Sequence, residues 1–341
     1  MNDTGQPTLR HEPGHAVGAA HDRPVGVALL GYGAIAAMHV AAIRAAGGRI
    51  EVVAGPRAAE LERFADEHAI AARTIDVAEA IQRPEVEAVV IASPTQVHVA
   101  QSSQALEAGR HVLVEIPLAT SLADGERLVA LARDRARVLT VCHTLRYWRP
   151  VRELHETLAT RGFRPTHVVA RALSLRHADV GWTGRQRSWV DDLLWHHGGH
   201  VVDEVLTLLG SPVVEVGSAS GDVWSTSGKA MDHAISLRTA AGGIASIALS
   251  YHARIGASEY LVIGEDETVL LAGGDVRWSD GAASGVPDVA AVQEAAVAAQ
   301  DGDFLAAVRR GGPDADGRAT RADAASVLPT LRVLQAVSDR A

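Results

Sequence analysis

The stretch 25–36, VGVALLGYGAIA, constrains the chain more than any other. An apolar run through Val25, Val27, Ala28, Leu29 and Leu30 stops at Gly31. Beyond Gly31-Tyr32-Gly33-Ala34-Ile35-Ala36, a small-residue segment with helical spacing continues to Ala46. This is the pattern of a strand, a tight turn and a helix. Gly31 permits the sharp turn, and Gly33 lets backbone approach a pyrophosphate. Ala36 allows close packing of helix on strand, and Ala34 and Ile35 open a helix whose amide end faces the anion. A second strand over 50–54 completes the context in which G-x-G-x-x-A is expected to be a dinucleotide site rather than a plain turn.

The tip of that second strand bears on which dinucleotide binds. A ribose 2′-hydroxyl is normally met by Asp or Glu, whereas a 2′-phosphate needs a cation and no carboxylate. The chain reads Ala54-Gly55-Pro56-Arg57, with no acid at the tip. Gly55 leaves room, and the Arg57 guanidinium can fork onto a phosphate or stack on adenine. NADP is therefore expected over NAD, the bland alternative being a solvated Arg57 in the next helix.

Strand and helix then alternate. Helices are expected over 58–68, 77–81, up to 108 and over 121–135, and strands over 88–92, 112–114 and 138–142. Continuous apolar strands in such alternation predict a parallel, doubly wound sheet, whose ligands bind at the strands' carboxyl ends. Gly31, Arg57, Ser93, Glu115 and His143 all fall there. The fold class is accordingly α/β, with a leader over 1–24 and a Rossmann-type dinucleotide-binding domain over 25–150.

The pattern changes past Pro150. A helix over 151–160, a strand over 166–175 and a helix from about 192 to 209 precede strand-like stretches at 213–218, 233–239, 244–251, 260–263 and 268–271. Gly242-Gly243 marks a turn. These predict a C-terminal α+β domain with an open antiparallel sheet over 151–320, serving as substrate wall or oligomer face. A loop over 273–290 and closing helices over 291–309 and 321–336 follow, the segment 321–341 packing back on the first domain.

Composition excludes several classes. The 341 residues carry a net charge of −9 without a basic block, which argues against nucleic acid. No apolar run reaches bilayer-spanning length, and 1–23 is too polar for a signal peptide, so a cytoplasmic enzyme without a membrane partner is expected. Cys142 is the only cysteine, which excludes an internal disulfide and a cysteine-built metal cluster. Of 32 Lys and Arg residues only Lys229 is lysine, and its setting after the Gly/Ser-rich stretch 225–228 argues against a role in proton transfer.

His196, His200 and Asp203 stand at i, i+4 and i+7, which puts all three on one helix face. A zinc site lacks both H-E-x-x-H and a cysteine ligand, so no metal is expected. A structural polar seam is a further alternative, and proton transfer is the favoured reading.

These residues resemble the Gfo/Idh/MocA family of NAD(P)-dependent oxidoreductases. The resemblance rests on G-x-G-x-x-A, the Ser93-Pro94-Thr95-Gln96 turn ending in His98, the strand end Glu115-x-Pro117, and Gly198-x-His200-x-x-Asp203. Most members carry lysine between that Glu and Pro, where this chain has Ile116. A narrower group in the family resembles the chain at Val114–Ala119, at His143-Thr144 with Arg146, and above all at 187–197, and it too has isoleucine there. Its members oxidise the cyclic hemiacetal of a carboxylated muconate semialdehyde to a pyrone dicarboxylate with NADP, in protocatechuate 4,5-cleavage. Tyr147-Trp148-Arg149 and Gly198-Gly199 depart from the group's pattern and leave room for a related substrate.

The resemblance implies roles. Ser93, Pro94, Thr95, His98, Glu115 and Pro117 would join Gly31, Gly33, Ala34, Ile35 and Arg57 around the cofactor. With lysine missing, His200 is expected as the base, Asp203 as its partner or as an acceptor for a substrate hydroxyl, and His196 as the reserve candidate. Arg146, Arg185 and Arg187 are candidates to hold substrate carboxylates, while Thr144, Trp182 and His197 supply neutral contacts or packing. Three alternatives stay open: a sugar, a cyclic alcohol or imine as substrate, or a non-catalytic dinucleotide-binding regulator. A homodimer or homotetramer through the antiparallel sheet is expected.

Overall fold

The computed structural model describes residues 23–176, 192–225, 227–313 and 319–341. Its first half runs β1 (Val25–Leu30), α1 (Ala34–Ala45), β2 (Gly48–Ala54), α2 (Ala58–Glu67), β3 (Ala72–Thr74), α3 (Val77–Gln82), β4 (Ala88–Ile91), α4 (His98–Glu107), β5 (His111–Val114), α5 (Leu122–Asp134) and β6 (Leu139–Val141). The six strands are parallel in the order β3-β2-β1-β4-β5-β6. Every residue of β1, β4 and β5 is buried, as strands covered on both faces must be. The order reverses between β1 and β4, which places the ligand crevice at their carboxyl ends.

The second half runs α6 (Arg149–Thr160), β7 (His167–Leu175), α7 (His197–Leu209), β8 (Val213–Ser220), β9 (Asp232–Thr239), β10 (Ile244–Ser250), β11 (His252–Ile263), β12 (Thr268–Ala272), β13 (Asp275–Trp278), β14 (Ala283–Ser284), α8 (Val289–Arg309) and α9 (Ala324–Ser338). The sheet order is β14-β13-β12-β11-β7-β10-β9-β8. It is mixed rather than wholly antiparallel, because β7 and β10 pair in parallel while the other neighbours are antiparallel. The stretch 273–290, expected as loop, contributes β13 and β14. Their turn-forming glycines, Gly273 and Gly274, sit at positive φ and close a hairpin from β12. Short β3, with only one buried-side neighbour in β2, lacked the apolar run that marks the other strands.

One face of the parallel sheet, α5, α7, α9 and the inner face of the mixed sheet share a continuous apolar core. The opposite face is covered by α1 and α8, with Val27, Leu29, Val40, Ile43, Phe304 and Leu305 packed together. The closing helices thus serve different ends: α8 lies on α1, and α9 lies between α5 and α7. Along β9 burial alternates strictly, with Ala234, Ser236 and Arg238 outward.

On α7, Glu204 is almost fully buried, and one of its oxygens lies 2.9 Å from His155 Nε2 of α6. Burial opposes a charge on His155, yet the bond and charge of Glu204 outweigh it and raise the pKa. Glu204 is also raised, chiefly by burial. A raised histidine stabilises the fold fully below its unfolded pKa of about 6.5, and that stability is lost as pH rises through the folded value. His155→Leu, which strands a buried carboxylate, is expected to cost about 3 kcal/mol near pH 6 and less near pH 9. Urea unfolding at both pH values checks this, and an equal cost at the two would refute it.

Candidate active site

The carboxyl ends of the parallel strands carry the first half of the site. Gly31 has φ +108°, and a Cβ there would lie 2.4 Å from the Ala92 carbonyl oxygen, so both conformation and space demand glycine. Gly33 is the N-cap of α1, with no side-chain cap, no acid in the first turn, and nothing within 4 Å of where its Cβ would be. That open backbone, with Ala34 and Ile35 beginning the helix behind it, fits the pyrophosphate of a dinucleotide. Gly55 does a different job from the one expected. A Cβ on it would lie 2.3 Å from the ring of Tyr32, so the space it leaves is filled by that ring. The Tyr32 hydroxyl accepts from the Arg57 backbone N–H at 3.1 Å and from its Nε at 3.4 Å. The guanidinium is 64% exposed and pairs with Glu60 at 3.1 Å, an acid one turn beyond the strand tip.

Ser93, Pro94 and Thr95 form the turn after β4, with Ser93 Oγ donating to Gln101 at 2.5 Å. His98, expected beside the cofactor, has both ring nitrogens turned to backbone carbonyl oxygens. It is 1% exposed, its Nδ1 lies 2.9 Å from the Pro117 carbonyl oxygen and its Nε2 2.8 Å from that of Ser93. It ties the ends of β4 and β5 together from beneath. Ile116 is a buried core side chain, so an apolar group fills the place where lysine is common in the family.

Glu115 leads to a cluster that local spacing did not reveal. Its Oε1 lies 3.1 Å from Nε2 of His39 on α1, whose Nδ1 lies 2.7 Å from Oδ2 of Asp301 on α8. His39 and Asp301 are fully buried. Burial works against charge on His39, but Asp301 foremost, with Cys142 and Glu115, raises its pKa well above the ordinary value. Burial would raise Glu115, and His39 holds it below the usual carboxylate range. Both ring nitrogens face carboxylate oxygens, which accept, so the surroundings favour the charged ring. His39, Glu115 and Cys142 converge closely enough to suggest metal ligands, but both ring nitrogens are already in hydrogen bonds and burial raises the thiol.

The second half of the site gathers around α7. This helix begins at His197, five residues later than expected, because Asp192 Oδ1 accepts from Trp195 N and holds a separate turn over 193–196. His196 is the N-cap with φ −86° and ψ −87°, so it does not share the helical register of His200 and Asp203. His197 packs edge-to-face on Tyr251 at 5.4 Å.

Asp203 and Arg146 correct two expectations at once. Arg146 Nε and Nη2 donate to the two Asp203 oxygens at 2.8 and 2.6 Å, and Thr330 Oγ1 donates to Oδ1 at 3.0 Å. Nη1 donates to the Arg321 carbonyl oxygen and to Ser326 Oγ. The guanidinium expected to meet a substrate carboxylate is instead engaged within the protein, and Asp203 is not hydrogen-bonded to His200. Burial would raise Asp203, but His143 and Arg146 bring its pKa below the ordinary value.

His143, missed as a site residue, stands between them. Its Nδ1 is 3.4 Å from Asp203 Oδ2, and its ring meets that of His200 edge-on at 5.5 Å. The signal was its place at the carboxyl end of β6. His200 is half-buried, and its Nδ1 is buried without a hydrogen-bond partner among the described residues. Burial, then the neighbouring His143, His196 and His197, push its pKa well below the ordinary value, so the ring is neutral and can accept a proton. Thr144 Oγ1 is directed to Gln300 at 3.4 Å. Lys229 Nζ lies 3.8 Å from Asp192. Trp182, Arg185 and Arg187 fall outside the described residues.

Residues 25–143 match the Gfo/Idh/MocA model, described as oxidoreductase family, NAD-binding Rossmann fold. Residues 152–290 match the model of the C-terminal domain of bacterial oxidoreductases. A 4-carboxy-2-hydroxymuconate-6-semialdehyde dehydrogenase from a Sphingobium strain is 28% identical over 90% of this chain and 96% of its own length. A 1,5-anhydro-D-fructose reductase from Ensifer adhaerens is 34% identical, over 35% of this chain and 36% of its own. Among solved structures, an oxidoreductase from Agrobacterium radiobacter in complex with NAD+, L-tartaric acid and magnesium aligns with a TM-score of 0.80 at 18% identity, over 93% of this chain and 96% of that one. That last likeness is one of fold.

Gly33→Val separates binding from folding. The side chain has room in the folded protein, so stability is expected to stay within about 0.5 kcal/mol of the original, while dinucleotide affinity falls at least about tenfold. Thermal unfolding alongside fluorescence titration with NADPH and NADH checks this. A variant that binds normally would rule out the turn as the pyrophosphate cradle.

Proposed function

Because the chain belongs to the Gfo/Idh/MocA family of oxidoreductases with an NAD-binding Rossmann fold, we propose that it is an NADP-dependent dehydrogenase acting on the cyclic hemiacetal of a carboxylated muconate semialdehyde, giving a pyrone dicarboxylate. The observation that carries the reading is His200: a neutral imidazole, its Nδ1 unpartnered among the described residues, in a site where no lysine stands beside the β5 strand end. Nearly full-length similarity to a muconate semialdehyde dehydrogenase supports the substrate class.

A bound nicotinamide supplies the acceptor for the hydride that leaves the hemiacetal carbon. His200 takes the proton of the ring hydroxyl as the carbonyl of the lactone forms. His143 borders the resulting cation, and the Asp203 carboxylate behind His143 favours positive charge in that cluster. A hemiacetal hydroxyl is more acidic than a simple alcohol, so a base weaker than lysine serves. Ser93, Pro94, Thr95, Glu115 and Pro117 form the rim over which the cofactor lies. Arg185 and Arg187 are the cations assigned to the substrate carboxylates, now that Arg146 is committed to Asp203. The outward face of the mixed sheet is the surface assigned to a homodimer or homotetramer.

His200→Ala is expected to lower kcat by about 10²–10⁴-fold with little change in NADP affinity. Since His200 is the base in its neutral form and its pKa is depressed, the rate should hold level through neutrality and fall only on the acid side of the ordinary histidine range. Following the reduced-nicotinamide absorbance across pH with the hemiacetal checks this. A rate that climbs through neutrality in both proteins would place the base elsewhere. Absence of any absorbance change with hemiacetals, alcohols or sugars would instead support a non-catalytic binding protein.

The NADP preference rests on Arg57 at the tip of β2. Arg57→Ala is expected to weaken NADPH binding by about tenfold or more and leave NADH nearly unaffected, as loss of a charge-assisted bond to phosphate requires. Parallel titrations of both cofactors decide it, and an unchanged ratio would end the assignment.

A further inference from the structure

Glu115 lies at the carboxyl end of β5, next to the β4 end where the strand order reverses, and is partly exposed there. Its two oxygens are each held: Oε1 by His39 Nε2, and Oε2 by the backbone N–H of Ile116 at 3.3 Å. Behind it the bonds continue inward. His39 donates to Asp301, Gln300 Nε2 donates to Asp301 Oδ1 at 3.4 Å, and Thr144 Oγ1 donates to Gln300 Oε1. The chain Glu115–His39–Asp301–Gln300–Thr144 runs under the crevice floor, from the end of β5 to the turn after β6 beside His143 and Arg146. His39, Gln300 and Asp301 are fully buried.

A core position would ordinarily hold an apolar residue, since two carboxylates and an imidazole are costly to desolvate and a well-packed apolar set often does as well. The outer carboxylate, however, reaches the surface where a dinucleotide's nicotinamide half would rest. We propose that His39 is a positioning residue for the cofactor: clamped by Asp301, it fixes the Glu115 carboxylate at the nicotinamide end of the crevice. The adenine half, over the ends of β1 and β2, does not depend on it. This rests on the dinucleotide reading of the site and not on the identity of the substrate.

The test compares binding of NADPH or NADH with binding of 2′,5′-ADP or 5′-ADP, which lack the nicotinamide half, by fluorescence and calorimetry on the full chain. For His39→Asn the dinucleotide affinity should fall about tenfold or more, the usual scale for a lost hydrogen bond to a charged group, while the adenine nucleotides bind within about twofold of the original. Glu115→Gln should give the same split, and the double variant should lose little more than either single one. If His39→Asn does not fold, Asp301→Asn is read in its place with the same expectation. Unchanged dinucleotide affinity overturns the proposal. So does equal weakening of dinucleotide and adenine nucleotide, the mark of a merely structural role. An original protein that binds neither dinucleotide refutes the cofactor reading itself, an outcome distinct from both.

Discussion

The bidentate contact between Arg146 and Asp203 is the constraint on which the substrate side of the molecule depends. A buried guanidinium and a buried carboxylate are tolerable only when geometry is good and the remaining donors and acceptors are satisfied. Here they are satisfied by Thr330 and Ser326 of α9 and by the Arg321 carbonyl oxygen. The turn after β6, the start of α7 and the flank of α9 are therefore locked in one arrangement. His143 and His200 owe their relative placement to that lock. It also engages the Arg146 guanidinium within the protein, on Asp203, Ser326 and the Arg321 carbonyl oxygen.

A second buried ionic group, centred on His39, plays the corresponding part for the first sheet. The two groups meet at the turn after β6, where Thr144 reaches Gln300 and Arg146 reaches Asp203. Between them lies the strand end whose middle residue is Ile116. With an apolar side chain there, the β5 end joins the core instead of presenting an amine to the cleft, which is why the proposed reaction assigns the base to the α7 side. The pKa of His200 is lowered by desolvation and neighbouring imidazoles, whereas that of His39 is raised, against desolvation, by neighbouring carboxylates.

The frame of the fold was legible because it is encoded locally. Continuous apolar strands and the spacing around Gly31 and Gly33 each reflect residues within a few positions of one another. What escaped is long-range. Nothing near His39 in sequence announces Asp301 on α8, so His39 drew no expectation, and nothing near Arg146 announces Asp203, so Arg146 looked free for a ligand. The helix expected from about 192 starts at His197 because Asp192 closes a separate turn ahead of it. Gly55 was taken as space for a phosphate because the ring of Tyr32, two dozen residues earlier, could not be seen folding over it. His98 was placed at the cofactor by the resemblance of its turn, and its ring bridges two backbone carbonyls.

The origin of the carboxylate and hydroxyl partners bears on how the chain is made. His39 emerges early in synthesis, yet Asp301 is on α8; Arg146 precedes the mixed sheet, yet Thr330 and Ser326 are on α9. Central strand β7 likewise waits for β10 and β11, which flank it. An N-terminal domain growing from the ribosome usually folds as a unit before the next one appears. Here the first sheet would stand without the Asp301 carboxylate, and with the parts of its two faces that α8 and α9 cover left open, until the last two helices arrive. The nascent protein thus spends most of its elongation in a form that lacks its closing helices, and interruption of the chain before α8 leaves an aggregation-exposed sheet rather than a smaller working domain.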